Sequence, residues 1–305
     1  MTKQALRIVL SCITLLSAMY AQTVTNGAFK FTSVNFPGAF GTNANGVNVN
    51  GEIVGSYLPT SSGPTRGFMY LNGKFTKVNI AGSTSTSVNG VNDFGDMVGT
   101  YTKSDNSIHG FLIKHTGSTL ALDFNGAGAP NFPHATLPYG INDQLTICGS
   151  ILATGTNYSP SGGFVWANGK FTYFPTILGN PAGLFGISNN GVLVGQVFFQ
   201  DFWHPALKAG TDSDIYPTYQ ARDSVASGVN RATDIVGSAI FSQGFFARHV
   251  ELNEGSNDQE VTPGYLLVQY PGASTTTPNG ISDNQSIVGT YGDSTGTHGF
   301  LAVLQ

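Results

Sequence analysis

Cysteine is nearly missing: the 305 residues hold two, Cys12 and Cys148. Charge is scarce as well. Charged residues make up 10% of the chain, against about 25% in an average soluble domain. No basic stripe or polybasic run stands anywhere in it. The electrostatic footprint that holds nucleic acid or anionic membrane surfaces is therefore absent, and neither is expected as a partner. No apolar run reaches the roughly 20 residues that span a bilayer. Outside the first residues no window carries helical periodicity. What is present is 40 glycines, 11% aromatic residues and an abundance of Ser, Thr and Asn. That composition means frequent turns on an uncharged polar surface, with enough hydrophobicity to exclude disorder.

The N-terminus reads as a secretory signal. Lys3 and Arg7 supply the positive region, Ile8 to Ala18 a short apolar one, and Ala18 and Ala21 the small residues before a cut after Ala21. The run is too short for a membrane anchor. A lipoprotein reading at Val9-Leu10-Ser11-Cys12 leaves almost no apolar region before the cysteine. Residues 1–21 are thus expected to leave, and residues 22–305 to form one secreted domain, extracellular, periplasmic or at the cell surface. The signal carries two cations and no acids, so its loss takes the net charge from −4 to −6. Cys12 leaves with it, so Cys148 has no partner for a disulfide. It stands in Ile147-Cys148-Gly149 where related segments carry Val, the place of a small core hydrophobe.

Those related segments are internal repeats, which decide the fold. A first triplet recurs at Gly46-Val47-Asn48, Gly90-Val91-Asn92, Gly140-Ile141-Asn142, Gly186-Ile187-Ser188, Gly228-Val229-Asn230 and Gly280-Ile281-Ser282, at intervals of 42 to 52 residues. Each is followed by a pair such as Val54-Gly55 or Val98-Gly99, and in all but the fourth copy by a Gly-Phe such as Gly110-Phe111. The fourth copy has His204-Pro205-Ala206-Leu207 there.

Each copy reads as four short strands. One ends at the triplet, one holds the Val-Gly (Asp96 to Tyr101), one the Gly-Phe (His109 to Lys114), and one follows a further turn (Phe75 to Ile80, or Phe171 to Phe174). Asn72-Gly73 and Asn168-Gly169 between strand-like runs are hairpin signals, because both positions need positive φ. The Val or Ile of each triplet is expected to pack between repeats, and its Asn or Ser to bond the following turn. The sixth copy ends at Gln305 without a fourth strand. Phe29 to Gly38 resembles Gly73 to Gly82 nearly residue for residue, so the missing strand stands at the other end of the chain. The expectation is a six-bladed β-propeller, four strands per blade, closed by an N-terminal outer strand. An open β-solenoid is the alternative, but it leaves the misplaced strand unexplained.

The order Gly-Ile-Asn, Ile-Val-Gly, Gly-Phe, with His109-Gly110-Phe111 and His298-Gly299-Phe300, resembles the HAF-family extracellular repeat, with Gly in place of its Ala. Elsewhere the His position carries Arg66, Gly162 or Gln243. The resemblance covers nearly all of residues 22–305 and implies secretion and bacterial origin. It implies no reaction.

Catalytic signatures are lacking. There is no Gly-x-Ser-x-Gly elbow. The histidines at 109, 115, 134, 204, 249 and 298 share no ligand spacing, and His109 and His298 fit strand ends. The turn Asn92-Asp93-Phe94-Gly95-Asp96 lacks the length and ligand count of a calcium loop and reads as a solvated turn. No catalytic residue, metal or cofactor is assigned.

Departures from the repeat are the better guide. In the fourth copy Phe198, Phe199, Phe202, Trp203 and His204 replace a polar loop with an aromatic hairpin, suited to stack on sugars or anchor a partner. Glu251 to Glu260 is an acid-rich insertion in the fifth. Tyr139 and Phe185 precede their triplets where the other copies have Asn45, Asn89, Ser227 and Asn279, and would put an apolar patch at one channel mouth. The leading expectation is an exported, monomeric, non-enzymatic binding or scaffold propeller, recognising a glycan or a surface protein through Phe199, Phe202, Trp203 and His204 or through Tyr139 and Phe185. A polysaccharide lyase or hydrolase acting in the funnel and a structural surface component are the alternatives.

Overall fold

The computed structural model describes residues 23–125, 134–153, 160–177, 180–199, 202–209, 212–215, 223–239, 243–248 and 265–305. The expected signal and the insertion Glu251 to Glu260 lie outside the described residues. Every regular element described is a β-strand. No described helix is long and apolar enough to cross a membrane.

The second copy shows the plan. Strands Ser85–Val91, Met97–Thr102, Ile108–Ile113 and Thr119–Leu122 pair antiparallel in sequence order. The second strand starts one residue later than its sequence suggests. Asp96 belongs to the preceding turn, its amide donating to Asn92 Oδ1 at 2.8 Å. Hairpins close where Asn-Gly predicts them: Asn72 and Gly73 have φ of 49° and 83°, Asn168 and Gly169 of 52° and 79°.

The recurrence of Val-Gly with Gly-Phe has a packing cause. Gly99 lies directly across from Phe111, as Gly55 does from Phe68 and Gly289 from Phe300. A Cβ on Gly99 would stand 2.0 Å from the Ser87 carbonyl and 2.8 Å from Phe111 Cζ. The glycine leaves its face of the strand open, and the cross-strand ring lies down over it. Phe68, Phe111, Phe164 and Phe300 are fully buried by this means, each contributing about 1.5–3 kcal/mol. In the fourth copy Ala206 faces Gly195, and Leu184, Leu193 and Val197 fill the space.

In each copy the first strand carries a β-bulge at the residue before the triplet glycine, for example between Ala44 and Gly46 or Pro138 and Gly140. These first strands pack side by side. A Cβ on Gly46 would meet Gly90 Cα at 3.1 Å; the same holds from Gly90 to Gly140 (3.5 Å), Gly140 to Gly186 (3.1 Å), Gly186 to Gly228 (3.1 Å), Gly228 to Gly280 (3.0 Å) and Gly280 back to Gly46 (3.3 Å). Only glycine lets backbones approach so closely, and the series returns to its start.

The chain ends meet on the outside. Phe29–Val34 pairs antiparallel with Gly296–Leu304, from Phe29 opposite Leu304 to Val34 opposite Gly299. Phe29 and Phe31 are fully buried, Phe31 lying edge-on to Tyr270 and Phe300. A single parallel bridge, Thr297 to Gly41, joins that sheet to the first copy's. Antiparallel sheets arranged radially about an axis, with the first and last segments sharing one sheet, make a β-propeller.

Candidate functional site

Among the described residues two cavities lie on the axis. The larger, of about 580 Å³, is lined by the upper parts of the inner strands, including Asn43, Asn45, Ser87, Asn89, Tyr139, Phe185, Gln196, Ser227, Thr277 and Asn279. The smaller, of about 50 Å³, lies at the end where the triplets stop, among Asp93, Asp143, Asn189 and Asp283. The triplet positions Val47, Val91, Ile141, Ile187, Val229 and Ile281 border both. They pack between repeats as expected, Val47 for instance against Phe68 and Val288, and they also line the axis.

The bulge aims side chains inward. At the bulged position four copies place a short polar residue that reaches the next strand: Asn45 Nδ2 donates to the Val88 carbonyl, Asn89 Nδ2 to Pro138 and Asn279 Nδ2 to Ala44, each at 2.9 Å. Ser227 Oγ donates to the Pro278 carbonyl, also at 2.9 Å. With their amide groups engaged, Asn45 and Asn279 keep their carboxamide oxygens without a partner among the described residues, at the edge of the larger cavity.

The other two bulges hold Tyr139 and Phe185, which meet edge to face with ring centroids 5.1 Å apart. The expected apolar patch is therefore a wall of the larger cavity. Burial pushes the Tyr139 hydroxyl up to about 12, so it stays a neutral phenol. That hydroxyl has no hydrogen-bond partner among the described residues and is free to bond a ligand. Among the described residues the lining of the larger cavity contains no Asp, Glu, His, Lys or Arg.

The aromatic hairpin stands elsewhere. Strands Leu193–Phe199 and Phe202–Ala209 pair with Phe198 opposite Trp203 and Phe199 opposite Phe202. Leu193 pairs with Ile187 of the fourth triplet, so Leu193–Phe199 runs from the narrow end of the axis towards the other. Phe198 is 38% exposed and lies edge-on to Trp203 at 5.2 Å. Among the described residues, Phe198, Phe202, Trp203 and His204 do not line the cavity; Gln196, further back on the same strand, does. The six predicted residues thus divide between the axis and an outer hairpin.

Several titratable groups outside the larger cavity are tied into the frame. His109 Nδ1 lies 2.9 Å from Asp123 Oδ1 and Nε2 2.8 Å from Ser107 Oγ, its ring stacked on Tyr101. His298 is stacked on Tyr291 and meets both Thr295 Oγ1, at 2.8 Å, and Asp293 Oδ1, at 3.2 Å, with Nε2. At the narrow end the backbone amides of Val49, Asp93 and Arg231 donate to Asp93, Asp143 and Asp283 of the following copies. Burial raises the Asp93 carboxyl, its bond from the Val49 amide opposes this, and the charges of Asp143 and Asp283 raise it further.

The turn 92–96 departs from its expectation. Asp96 is not solvated: it is 3% exposed and accepts from the backbone and ring nitrogens of His115 at 2.8 and 2.9 Å. Burial alone would raise its carboxyl, but these bonds and one from Asn92 hold it below the usual carboxylate value. Among the described residues no group of three or more His, Cys, Asp or Glu is placed to hold a metal.

Sequence reading missed Asn43, Ser87, Gln196 and Thr277. Stepping two residues back along the inner strand from each bulge would have found Asn43, Ser87 and Thr277, since alternate residues share a face. Gln196 follows Val194-Gly195, where other copies carry Ser or Thr.

No family model matches the chain, and no curated protein does. Among solved structures, a streptogramin B lyase is similar at 12% identity, with 92% of this chain and 99% of that one covered and a TM-score of 0.48. The fucose-specific lectin from Aleuria aurantia has 12% identity, 90% and 96% coverage and a TM-score of 0.47. The BP39L lectin from Burkholderia pseudomallei has 11% identity, 92% and 89% coverage and a TM-score of 0.44. Likeness this distant says nothing about ligand or reaction, and the propeller reading stands on the strand pairing.

Proposed function

We propose that this is an exported six-bladed propeller of the HAF-repeat kind that binds a glycan in its central cavity. Six inner strands and a glycine series that returns to its start support the blade count, the nine-stranded sheet being two blades joined by one bridge. The observation that carries the function is the lining of the larger cavity. The Tyr139–Phe185 pair offers a ring edge and face for the apolar side of a sugar. Unpaired oxygens on Asn45 and Asn279 and the Tyr139 hydroxyl offer bonds to sugar hydroxyls. A neutral lining suits an uncharged ligand, and a volume of about 580 Å³ falls within the roughly 300–1,000 Å³ usual for small-ligand sites.

A lyase or hydrolase would ask for carboxylates or imidazoles converging on the ligand. His109, His115 and His298 and the carboxylates of Asp93, Asp143 and Asp283 instead bond turns and strand ends. The outer hairpin with Phe198 and Trp203 is the rival seat, for a glycan or a protein.

A glycan array probed with the purified protein and with Tyr139→Ala and Trp203→Ala tests this. Binding is expected for the parent and for Trp203→Ala, and a loss of about tenfold or more is expected for Tyr139→Ala, the cost of about 1–3 kcal/mol that loss of one sugar–aromatic contact and one hydrogen bond entails. Loss in Trp203→Ala alone would move the seat to the hairpin. No binding to any glycan would end the glycan reading.

A further inference from the structure

The larger cavity has an apolar floor. Val47, Val91, Ile141, Ile187, Val229 and Ile281 border it below and border the smaller cavity from above, so these branched side chains stand between the two. All but Ile187 are less than a tenth exposed, which means each shows only a methyl or two to the axis. Above this girdle the wall is aromatic on one side, at Tyr139 and Phe185, and carries carboxamides on the other. The space therefore changes from polar and neutral at its collar to hydrocarbon at its base, and it ends there.

This gradient constrains how a saccharide can enter. A ligand that passes along the axis would have to cross the girdle, so a chain can be taken only by its end. Whichever group leads meets six hydrocarbon side chains and no polar partner. A leading hydroxyl would lose its water and gain no hydrogen bond, which is unfavourable. A leading methyl group would be removed from water into matching surface, which is favourable.

We propose that the cavity selects a terminal sugar that bears a methyl group, as a deoxy-sugar or an N-acetylated sugar does, with the methyl seated on the Val/Ile girdle. This specificity rests on the glycan reading above. Hydroxyls further up the sugar then reach Asn45, Asn279 and Tyr139 at the collar, and the ring lies against Phe185. Internal residues of a polymer are excluded because they have no free end to lead.

Calorimetric titration of the purified protein with matched sugars tests the proposal without any variant. L-Rhamnose against L-mannose isolates a deoxy methyl, and N-acetylglucosamine against N-formylglucosamine an acetyl one. At least one methyl-bearing member is expected to bind about 10-fold tighter or more than its counterpart, the range that one methylene-sized group gives in an apolar site. Which pair responds identifies the source of the methyl. In Val229→Thr, which keeps the shape and puts a hydroxyl on the floor, that ratio is expected to fall towards one, with thermal melting confirming that the variant is folded. Sugars that bind with no difference within either pair would overturn this inference and leave the glycan reading standing. An absence of binding by every sugar, on titration and on the array, would overturn both.

Discussion

Cys148 occupies a valine's place, and the core treats it as one. It is fully buried, and burial pushes its thiol up to about 12 from an ordinary value near 9. Thiolate, the reactive form, is thereby suppressed. Native protein at pH 8 is expected to resist a thiol reagent and to react with it only when denatured; labelling at the native rate of an exposed cysteine would contradict this. Asp96 is the opposite case, a buried carboxylate held ionised by His115 and Asn92. Asp96→Ala is expected to cost about 1–3 kcal/mol at pH 7, the usual price of orphaning buried hydrogen-bonding groups. A depressed native value means the contribution is present above the unfolded carboxyl's pKa of about 3.9 and is lost as pH falls through the lower native one. The gap in melting temperature between parent and Asp96→Ala should therefore narrow as the pH drops from 5 towards about 2. A gap that is constant across that range would show that the carboxylate's charge does not matter. The bond to Asn92 fits the expectation that a triplet Asn bonds its turn, but the His115 partner could not be read from sequence, because it follows no motif and meets Asp96 only when two strands fold side by side.

At the scale of the strand, the repeat's signature is one packing device. Glycine opens a gap in the second strand, and the phenylalanine of the third covers it. Phe111→Ala should cost about 3–5 kcal/mol, as truncation of a fully buried ring does. Gly99→Ala should be comparably damaging although it adds a single methyl, because that methyl would sit 2.0 Å from the Ser87 carbonyl and backbone cannot move aside. Denaturant titration of both variants checks the pair; a mild Gly99→Ala would mean that the strand can shift. This device was legible, since it repeats as Val-Gly and Gly-Phe at a set order. The bulges were not. A bulge leaves no residue type of its own, and its position holds Asn, Ser, Tyr and Phe in different copies. Only the pairing register shows that these residues share one orientation.

Over the whole molecule, closure depends on two segments whose paired residues, from Val34 with Gly299 to Phe29 with Leu304, stand at opposite ends of the described chain. Phe31 touches Tyr270 and Phe300 across that join, and Ser33 Oγ bonds both Tyr270 and Tyr291. Phe31→Ala is expected to destabilise the protein by about 3–5 kcal/mol, as much as loss of a ring in the middle of the chain. The check is an equilibrium unfolding curve that stays a single transition while its midpoint falls. An unchanged midpoint would mean that the N-terminal strand adds little to the closed form.

The sequence by itself determined that the protein is all β, built from recurring four-strand units, and that Phe29–Val34 completes its last sheet. These follow from local periodicity, from turn residues with obligatory backbone angles, and from a count of strands. The further strand Thr23–Asn26 outside Phe29–Val34, a fifth in that sheet, came only from the structure. It also marked Tyr139 and Phe185 as exceptions. Tertiary structure alone decided that the two rings, 46 positions apart, form one wall. It likewise decided that six Val and Ile side chains form a common floor, and that the aromatic hairpin stands off the axis. The physical reason is closure: a ring brings equivalent positions of successive repeats into contact, and such contacts leave no trace in the periodicity of any one segment.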